Sequence, residues 1–163
     1  MTKFHGREFR DTMGQFCTGV VIVTGASGEG MAGFAAQSFV SLSLEPPLIA
    51  VCPGKTSTSW PRIRETGRFC INVLGEDQQA VSDVFAQSGR VADVGWRPGA
   101  SGAPILDGVL AYVDCALEAE HDAGDHTIAV GRVLDIEVLD GERGPLLFFR
   151  GAYGHFAGSA ATP

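Results

Sequence analysis

Apolar positions along the chain follow two periods, one typical of a helix and one typical of strands. Near the N-terminus, Phe9, Met13 and Phe16 fall at the i, i+4 and i+7 positions of one helix face, and Gly19 can end that helix. Further along, apolar and β-branched runs bounded by Gly and Pro predict strands. The predicted strands cover residues 20–24, 34–44, 48–52, 68–74, 109–119, 128–138 and 146–149.

Two more helices are predicted between these strands. One is short, with Ser59 near its start, Pro61 in its first turn and Gly67 at its end, and the other covers residues 77–86. Residues 87–108 are rich in Gly and Pro and predict a long loop, which in a compact domain is often functional. The alternation in the two longest strands favours antiparallel pairing with one face buried. The pattern as a whole predicts a mainly β fold, a β-barrel with a few helices.

Composition and charge narrow the class of protein. The 163 residues, taken as a single domain over residues 1–163, suffice for one sizeable core, and 45% are hydrophobic against 19% charged. The net charge of −7 argues against a nucleic-acid partner, which needs a basic face for phosphates. No run of about 18 apolar residues exists, so no membrane span is expected. Residues 1–10 are polar and contain no signal-peptide core, which predicts a cytoplasmic protein.

The four cysteines give little support to a metal site or a redox pair. Cys17, Cys52, Cys70 and Cys115 are widely spaced and form no C-x-x-C pair. Free cysteine behaves as a small hydrophobic residue, so we expect buried, reduced, structural thiols.

Three polar segments could carry chemistry, and the first lies within the predicted strand at residues 34–44. Ser41 and Ser43 are two residues apart and share a face of a strand, and Ser38 joins them if the chain bends near Phe39. The small residues before Ser38 allow a flat ring to approach the backbone. The competing interpretation is a strand whose hydroxyls face water.

The second segment is the polar run at residues 55–59, ahead of the short helix. It contains one ammonium group and four hydroxyls, which together with the N–H groups of a helix start could hold a phosphate. The competing interpretation is an ordinary helix cap in a soluble loop, because Ser and Thr are the usual capping residues.

The third segment is the turn between the two longest strands. His126 follows Gly124 and Asp125 there, so it could orient a ligand or transfer a proton, or it could simply be an exposed turn histidine. Nearby His121 and Asp122 do not make a zinc site, because all these groups lie in one turn without a distant partner. No G-x-S-x-G motif or P-loop occurs, and the Gly-rich residues 25–30 do not open a helix as a dinucleotide fingerprint does.

Taken in order, these segments resemble the flavin reductase-like family. The matching motifs run from FRDTMG at residues 9–14 to RGAY at residues 150–153. Between them stand TGVVIVT, AAQSFVSLSLEPPL, GRFCINVL, GAPILDGVLAYVDC and DAGDHTIAVGRV, whose order and spacing are more specific than any one motif. The resemblance implies the split-barrel flavin-binding fold.

The resemblance further implies an NAD(P)H:flavin oxidoreductase. Such a protein reduces FMN or FAD by hydride transfer and supplies the reduced flavin to a separate flavin-dependent monooxygenase. NADH is the expected reductant, with NADPH less favoured, and the family fold is a homodimer with the flavin near the subunit interface. Two alternatives stay open, which are a tight flavin-binding oxidase or redox sensor and a non-enzymatic flavin-binding protein.

Residue roles also follow from the resemblance. His126 is the residue assigned to catalysis, where it positions the nicotinamide, and no metal is expected. Many family members have Thr-Ala-Asn-Ser where this chain has Ala-Ala-Gln-Ser, so the amide at Gln37 is kept on a longer side chain. The implied cofactor-binding residues are Phe34, Ala35, Ala36, Gln37, Ser38, Ser41, Ser43, Cys52, Pro53, Gly54, Lys55, Thr56, Ser57, Thr58, Ser59, Asp125, His126 and Tyr153.

Overall fold

A computed structural model describes residues 3–28 and 30–158. Its three helices are α1 (Gly6–Met13), α2 (Trp60–Thr66) and α3 (Gln79–Phe85). Its strands are β1 (Thr18–Gly19), β2 (Val21–Ser27), β3 (Gly30–Ala36), β4 (Val40–Ser43), β5 (Leu48–Val51), β6 (Arg68–Val73), β7 (Trp96–Pro98), β8 (Pro104–Leu106), β9 (Ala111–Ala123), β10 (His126–Val138), β11 (Leu146–Phe149) and β12 (Ala152–His155).

An antiparallel sheet of seven strands forms the body of the fold. Its order is β3-β2-β6-β9-β10-β5-β4, and a three-stranded sheet (β1-β11-β12) and the β7-β8 pair lie beside it. The two longest strands, β9 and β10, pair along their whole length, as their alternation predicts. The prediction of a mainly β fold with a few helices is confirmed.

Both faces of the central strands are buried. Alternate residues of β2 and β6 enter different core clusters, with Ile22 and Cys70 in one and Val23 and Ile71 in the other. Helix α3 covers the first face and helix α2 the second. Burial on both faces explains why these strands read as continuous apolar runs instead of alternating ones.

Helix α2 is fixed to β9 by a polar contact at the edge of the core. The indole Nε1 of buried Trp60 donates to Glu120 Oε1 at 2.9 Å, and Arg64 pairs with the other carboxylate oxygen at 2.6 Å. The Trp60 ring meets Phe34 and Phe69 edge to face. The start of α2 is therefore held in a defined place against the sheet.

The predicted loop at residues 87–108 contains the β7-β8 hairpin, and a buried amide holds its second strand. Asn72 Nδ2 donates to Thr24 Oγ1, and Asn72 Oδ1 accepts from the Leu106 N–H at 2.8 Å. Thr24 Oγ1 in turn donates to the Pro104 carbonyl. Asn72 and Thr24 are fully buried, and each makes side-chain hydrogen bonds across this junction.

The N-terminal prediction was wrong in its extent. Helix α1 ends at Met13 instead of near Gly19, so Phe16 lies outside it, and the chain goes on to β1, which pairs with β11. None of the residues of α1 is buried. Its apolar spacing therefore does not mark a core-facing helix in this chain.

The predicted single strand at residues 34–44 is interrupted. Strand β3 ends at Ala36, and β4 begins only at Val40. The strand is interrupted because Ser38, which lies between them, accepts a hydrogen bond from the backbone N–H of Cys52, the residue that follows β5. The break before Val40 separates two strands that lie at opposite edges of the sheet order, and it does not bring Ser38 onto one strand face with Ser41 and Ser43.

One expected core face is exposed. On β10, Val130 is buried, but Leu134, Ile136 and Val138 are exposed, the last two at 65% and 71%. On β4 and just after it, Val40, Leu42 and Leu44 are also exposed. The expectation of one buried face fails for this half of β10, because no part of the described chain covers it.

The thiols differ in burial. Cys70 and Cys115 are buried, as expected, but Cys17 is exposed and Cys52 is only partly buried. Burial raises the pKa of both buried thiols, to about 12 for Cys115. Within the described residues, no helix is long and apolar enough to cross a membrane.

Candidate active site

Ser38 of the first polar segment bonds to Cys52, three residues before the second segment begins. The Cys52 N–H donates to Ser38 Oγ at 2.9 Å, across 14 residues of sequence. The end of β3 and the segment after β5 are thereby joined side by side. The predicted ring-lining and phosphate-binding stretches thus form one surface.

The third segment joins the same surface through backbone pairing. Gly54 and His126 form an isolated antiparallel bridge, with Lys55 N donating to the Asp125 carbonyl at 2.9 Å and Thr127 N to the Pro53 carbonyl at 3.0 Å. A Cβ built on Gly54 would lie 3.7 Å from His126 Nε2. The histidine ring therefore stands directly beside the start of the polar run.

The turn before His126 is tight. Ala123 pairs with His126, so only Gly124 and Asp125 connect β9 to β10, and Gly124 has a φ of +69°. A positive φ at the first of two connecting residues is that of a type II′ hairpin turn, which favours glycine there. The position of His126 is consequently set by the longest hairpin of the fold.

The ring of His126 is oriented by its neighbour. Its Nδ1 lies 2.7 Å from Asp125 Oδ1, and because a carboxylate only accepts, Nδ1 carries the proton. This hydrogen bond, more than any other contact, holds the pKa of Asp125 below its usual range. The arrangement leaves Nε2 free to face a ligand beside Gly54.

The polar run at residues 55–59 uses part of its hydrogen-bonding capacity internally. Ser57 Oγ accepts from the Trp60 N–H at 3.1 Å, which leaves its own hydroxyl proton available, and Thr58 Oγ1 bonds to Ser88. The Lys55 ammonium pairs with Asp122. A phosphate here would gain the Ser57 and Thr56 hydroxyls directly, and the Lys55 ammonium only in competition with Asp122.

A cavity of about 460 Å³ lies over this junction. One wall of the cavity includes Phe34, Ala35 and Gly54. The hydroxyl residues Thr56, Ser57 and Ser59 also line it and form what we call its hydroxyl-rich end. The opposite wall is the end of α3 and the chain after it, residues 85–89. Residues 87–89 of this wall begin the loop that the sequence predicts as often functional, whereas Phe85 and Ala86 belong to a predicted helix that the sequence did not single out.

Glycine at position 33 keeps the cavity narrow. A Cβ there would lie 2.7 Å from the Phe85 ring, so any larger residue would push α3 away from β3. The close approach of these elements leaves a slot between Ala35 and the chain after Phe85. A slot of that form suits a flat ring system.

A second cavity continues the first past Ala35. It is lined by Ala35, Ala36, Gln37, Ser82 and Tyr153, among others, and has a volume of about 170 Å³. The Tyr153 hydroxyl lies 2.9 Å from Ser82 Oγ, which ties β12 to α3 across this cavity. Ser82 is a further residue that the sequence did not single out.

Nine of the eighteen predicted cofactor-binding residues line neither cavity. Seven of the nine belong to the three joined segments, and they are Ser38, Cys52, Pro53, Lys55, Thr58, Asp125 and His126. The other two stand apart from these segments. Ser41 and Ser43 lie on β4, opposite Ile49 and Leu48 of β5, and neither lines the two cavities described above. Ser38 does not join them on one strand face, since the chain bends between. Among the described residues, no group of three His, Cys, Asp or Glu side chains could hold a metal ion.

These features define a small antiparallel β protein with a slot for a flat ring, a hydroxyl-rich end and an oriented histidine beside it. The sequence pattern of the flavin reductase like domain matches residues 13–157, and the chain belongs to that family. The predicted family and its fold class are thereby confirmed.

Known proteins similar to this chain agree with the assignment. It is 50% identical over 149 residues to the flavin-dependent monooxygenase reductase subunit HsaB of Rhodococcus jostii, covering 90% of this chain and 76% of that protein. It is 43% identical over 154 residues to FMN reductase (NADH) SmoA of Agrobacterium fabrum, covering 94% and 87%. The crystal structure of nitrilotriacetate monooxygenase component B from Mycobacterium thermoresistibile matches with a TM-score of 0.89 at 45% identity, covering 96% and 89%.

Proposed function

We propose that this protein uses NADH to reduce FMN or FAD and releases the reduced flavin to a separate monooxygenase. The observation that carries this proposal is the meeting of three segments at one groove, through the Ser38–Cys52 bond and the Gly54–His126 bridge. Relatives named as reductase subunits of monooxygenases and as an NADH-dependent FMN reductase support it.

The groove fits a flavin in three respects. The slot formed around Gly33 and Ala35 suits the flat ring, and the hydroxyls of Thr56 and Ser57 suit the phosphate end. The Gln37 side chain, which lines the adjoining cavity, offers an amide to the edge of the ring. When bound, the flavin and the nicotinamide supply the hydride-transfer chemistry themselves, and the protein supplies orientation.

The residues of this chain then have distinct tasks. His126, with its proton on Nδ1, presents Nε2 to the nicotinamide and positions it without transferring a proton. Tyr153, fixed by Ser82, closes the far side of the ring site. Ring stacking at about 3–3.5 Å is required for transfer, so small residues at 33 and 35–36 serve the geometry.

We also propose that the protein is a homodimer. The exposed apolar residues of β4 and β10 lie at the same end of the sheet, where Val133 N bonds to the Pro47 carbonyl. Several exposed apolar residues on neighbouring parts of one sheet are typical of an interaction site. A reaction that consumes NADH further favours the cytoplasm as the place of action.

The direct test is oxidation of NADH and of NADPH with FMN, FAD and riboflavin added in turn. We expect NADH oxidation that depends on added flavin, and a nearly colourless purified protein. A yellow protein that needs no added flavin would favour a tight flavin-binding oxidase or sensor. Flavin binding without any NADH oxidation would leave only a binding protein.

A further inference from the structure

A cavity lined by two arginines, which we call the cationic cavity, is separate from the cavity that contains the hydroxyl residues Thr56, Ser57 and Ser59. It sits between α1 and the turn that joins β11 to β12, has a volume of about 440 Å³, and is lined by Arg10, Asp11, Gly14, Gln15, Arg150 and Gly151. A neighbouring cavity of about 360 Å³ shares Arg10 and Arg150 with it and extends to Gln37 and Phe148. The neighbouring cavity in turn shares Gln37 and Phe148 with the cavity of the ring site, so lining residues in common link the cationic cavity to the ring site.

Arg150 is held in an unusual and fixed conformation. It has a φ of +49°, the left-handed region that residues other than glycine rarely adopt, and its N–H donates to the Gly14 carbonyl at 3.1 Å. Such a conformation is strained and persists only where the surrounding structure determines it. The backbone conformation thus fixes the position of the Arg150 side chain at the rim of the cavity.

The guanidinium of Arg150 is also pre-oriented. Its Nε and Nη2 donate to Gln15 Oε1 at 2.9 and 2.6 Å, and its Cζ lies 4.8 Å from the centre of the Phe149 ring. These contacts use the Nε and Nη2 donors of the guanidinium. Within the described residues, its third nitrogen, Nη1, has no protein acceptor. A pre-oriented fork of this kind matches the oxygens of a phosphate.

The charge around the cavity is uncompensated. In residues 3–28 and 30–158, no carboxylate lies within ion-pair distance of Arg10 or Arg150. The one carboxylate in the lining, Asp11, has Arg7 as its nearest cation, at 3.8 Å. Two unpaired arginines at one cavity stand out in a chain with a net charge of −7.

We propose that Arg150 and Arg10 bind the pyrophosphate of the nicotinamide dinucleotide. This assignment rests on the proposed function and deepens it. The flavin phosphate belongs at the Thr56–Ser57 end of the groove, so the second half of FAD leaves from that end. A dinucleotide whose nicotinamide stacks on the flavin ring can instead send its pyrophosphate past Gln37 to the two arginines.

The test compares ligands with and without the second phosphate group. Equilibrium binding of NAD⁺ and of nicotinamide mononucleotide is measured by calorimetry on the full chain and on Arg150→Gln, Arg10→Gln and the double variant. We expect NAD⁺ to bind about 5- to 20-fold more weakly to the double variant, with the mononucleotide nearly unaffected. Arg7→Gln is the matched control, because Arg7 lies on the same helix and does not line the cavity.

A second measurement covers the flavin and the fold. FMN and FAD affinities and the melting temperature are determined for the same variants, with Arg150→Lys retaining the charge but not the fork. Unchanged NAD⁺ affinity in the folded double variant overturns the proposal, and so does equal weakening of NAD⁺ and the mononucleotide. A loss of affinity confined to FAD also overturns the proposal, since that result assigns the cavity to the flavin. A wild-type protein that binds NAD⁺ through these arginines but reduces no flavin refutes the proposed function and leaves this site standing.

Discussion

His126 is the first residue of β10, directly after the two-residue turn between the longest strands, and two neighbours fix its position. Asp125 holds Nδ1, and the bridge to Gly54 holds the backbone. This hydrogen bond favours the ionised form of Asp125 and so lowers its pKa. Its contribution to the stability of the fold is therefore fully present above the usual aspartate pKa, and it is lost as the pH falls through the lowered pKa of Asp125. Around neutral pH the Asp125 carboxylate is therefore ionised and able to accept from Nδ1.

Replacing His126 by Ala should affect the nicotinamide and spare the flavin. We expect kcat/KM for NADH to fall about 10- to 100-fold, equivalent to about 1.4–2.7 kcal/mol, with flavin affinity nearly unchanged. Steady-state kinetics and thermal unfolding are measured on one preparation. His121→Ala is the matched control, since His121 is exposed on the same hairpin, opposite Ile128.

A purely structural histidine would give the opposite pattern. Stability would fall in His126→Ala while kcat/KM per folded molecule stayed at the wild-type value. A loss far above 100-fold would instead indicate a chemical role for the imidazole.

Lys55 should matter to the flavin phosphate, but less than an unpaired lysine would. Its ammonium pairs with Asp122, whose side chain is 81% exposed. We expect Lys55→Ala to weaken FMN by about 1 kcal/mol and riboflavin hardly at all, because only FMN carries the phosphate. Asp122→Asn should strengthen FMN by releasing the ammonium. Flavin fluorescence titration measures both, and equal weakening of FMN and riboflavin would refute the role of Lys55.

At the scale of elements, the contact of α2 with β9 depends on one carboxylate. Glu120→Ala leaves the buried Trp60 N–H without its acceptor and Arg64 without its partner. We expect the free energy of unfolding to fall by about 1–3 kcal/mol, and FMN affinity to fall as well because the start of α2 carries the hydroxyl run. Glu120→Gln retains an acceptor for Trp60 and should lose less. Urea unfolding followed by tryptophan fluorescence compares the two; equal losses would show that the indole bond is unimportant.

Elements whose signals are local could be predicted from the sequence. The strands around residues 20–24, 48–52 and 68–74 and helix α2 have their own β-branched runs, Pro and Gly, and the structure places each close to its predicted bounds. The break after Ala36 could not be predicted, because it depends on a bond to Cys52 across 14 residues. The hairpin inside the predicted loop likewise depends on Asn72, 34 residues before Leu106.

The site was predictable to the same degree. The segments bearing Ser38, Ser57 and His126 have recognisable composition, and the structure joins them. Ser82 and Phe85 lie on a helix whose own sequence shows only an apolar face, and residues 86–89 of the wall follow directly after it. Their place in the site follows from how closely α3 packs on Gly33, which is a property of tertiary contact.

At the scale of the whole molecule, the main feature is that the exposed apolar residues of β4 and β10 are not covered by any part of the described chain. We expect a dimer of the wild-type protein at micromolar concentration in sedimentation velocity. Ile136→Glu should shift it towards monomer, because a carboxylate buried in an apolar interface is strongly unfavourable. Val91→Glu is the matched control, an exposed apolar residue in a loop away from β10. A wild-type monomer, or dissociation by both variants alike, would contradict the proposed interface.

The buried Asn72 has a consequence for how this fold can change. Its amide bonds to β2 on one side and to the chain at residues 104–106 on the other. A graft that exchanges residues 87–108 for the equivalent loop of another barrel would leave Asn72 Oδ1 without the N–H group from which it accepts, at a cost of about 1–3 kcal/mol, unless the new loop brings the same donor. The loop and the sheet are thus coupled through the side chains of Thr24 and Asn72. A successful transplant of the loop must therefore carry positions 24 and 72 with it.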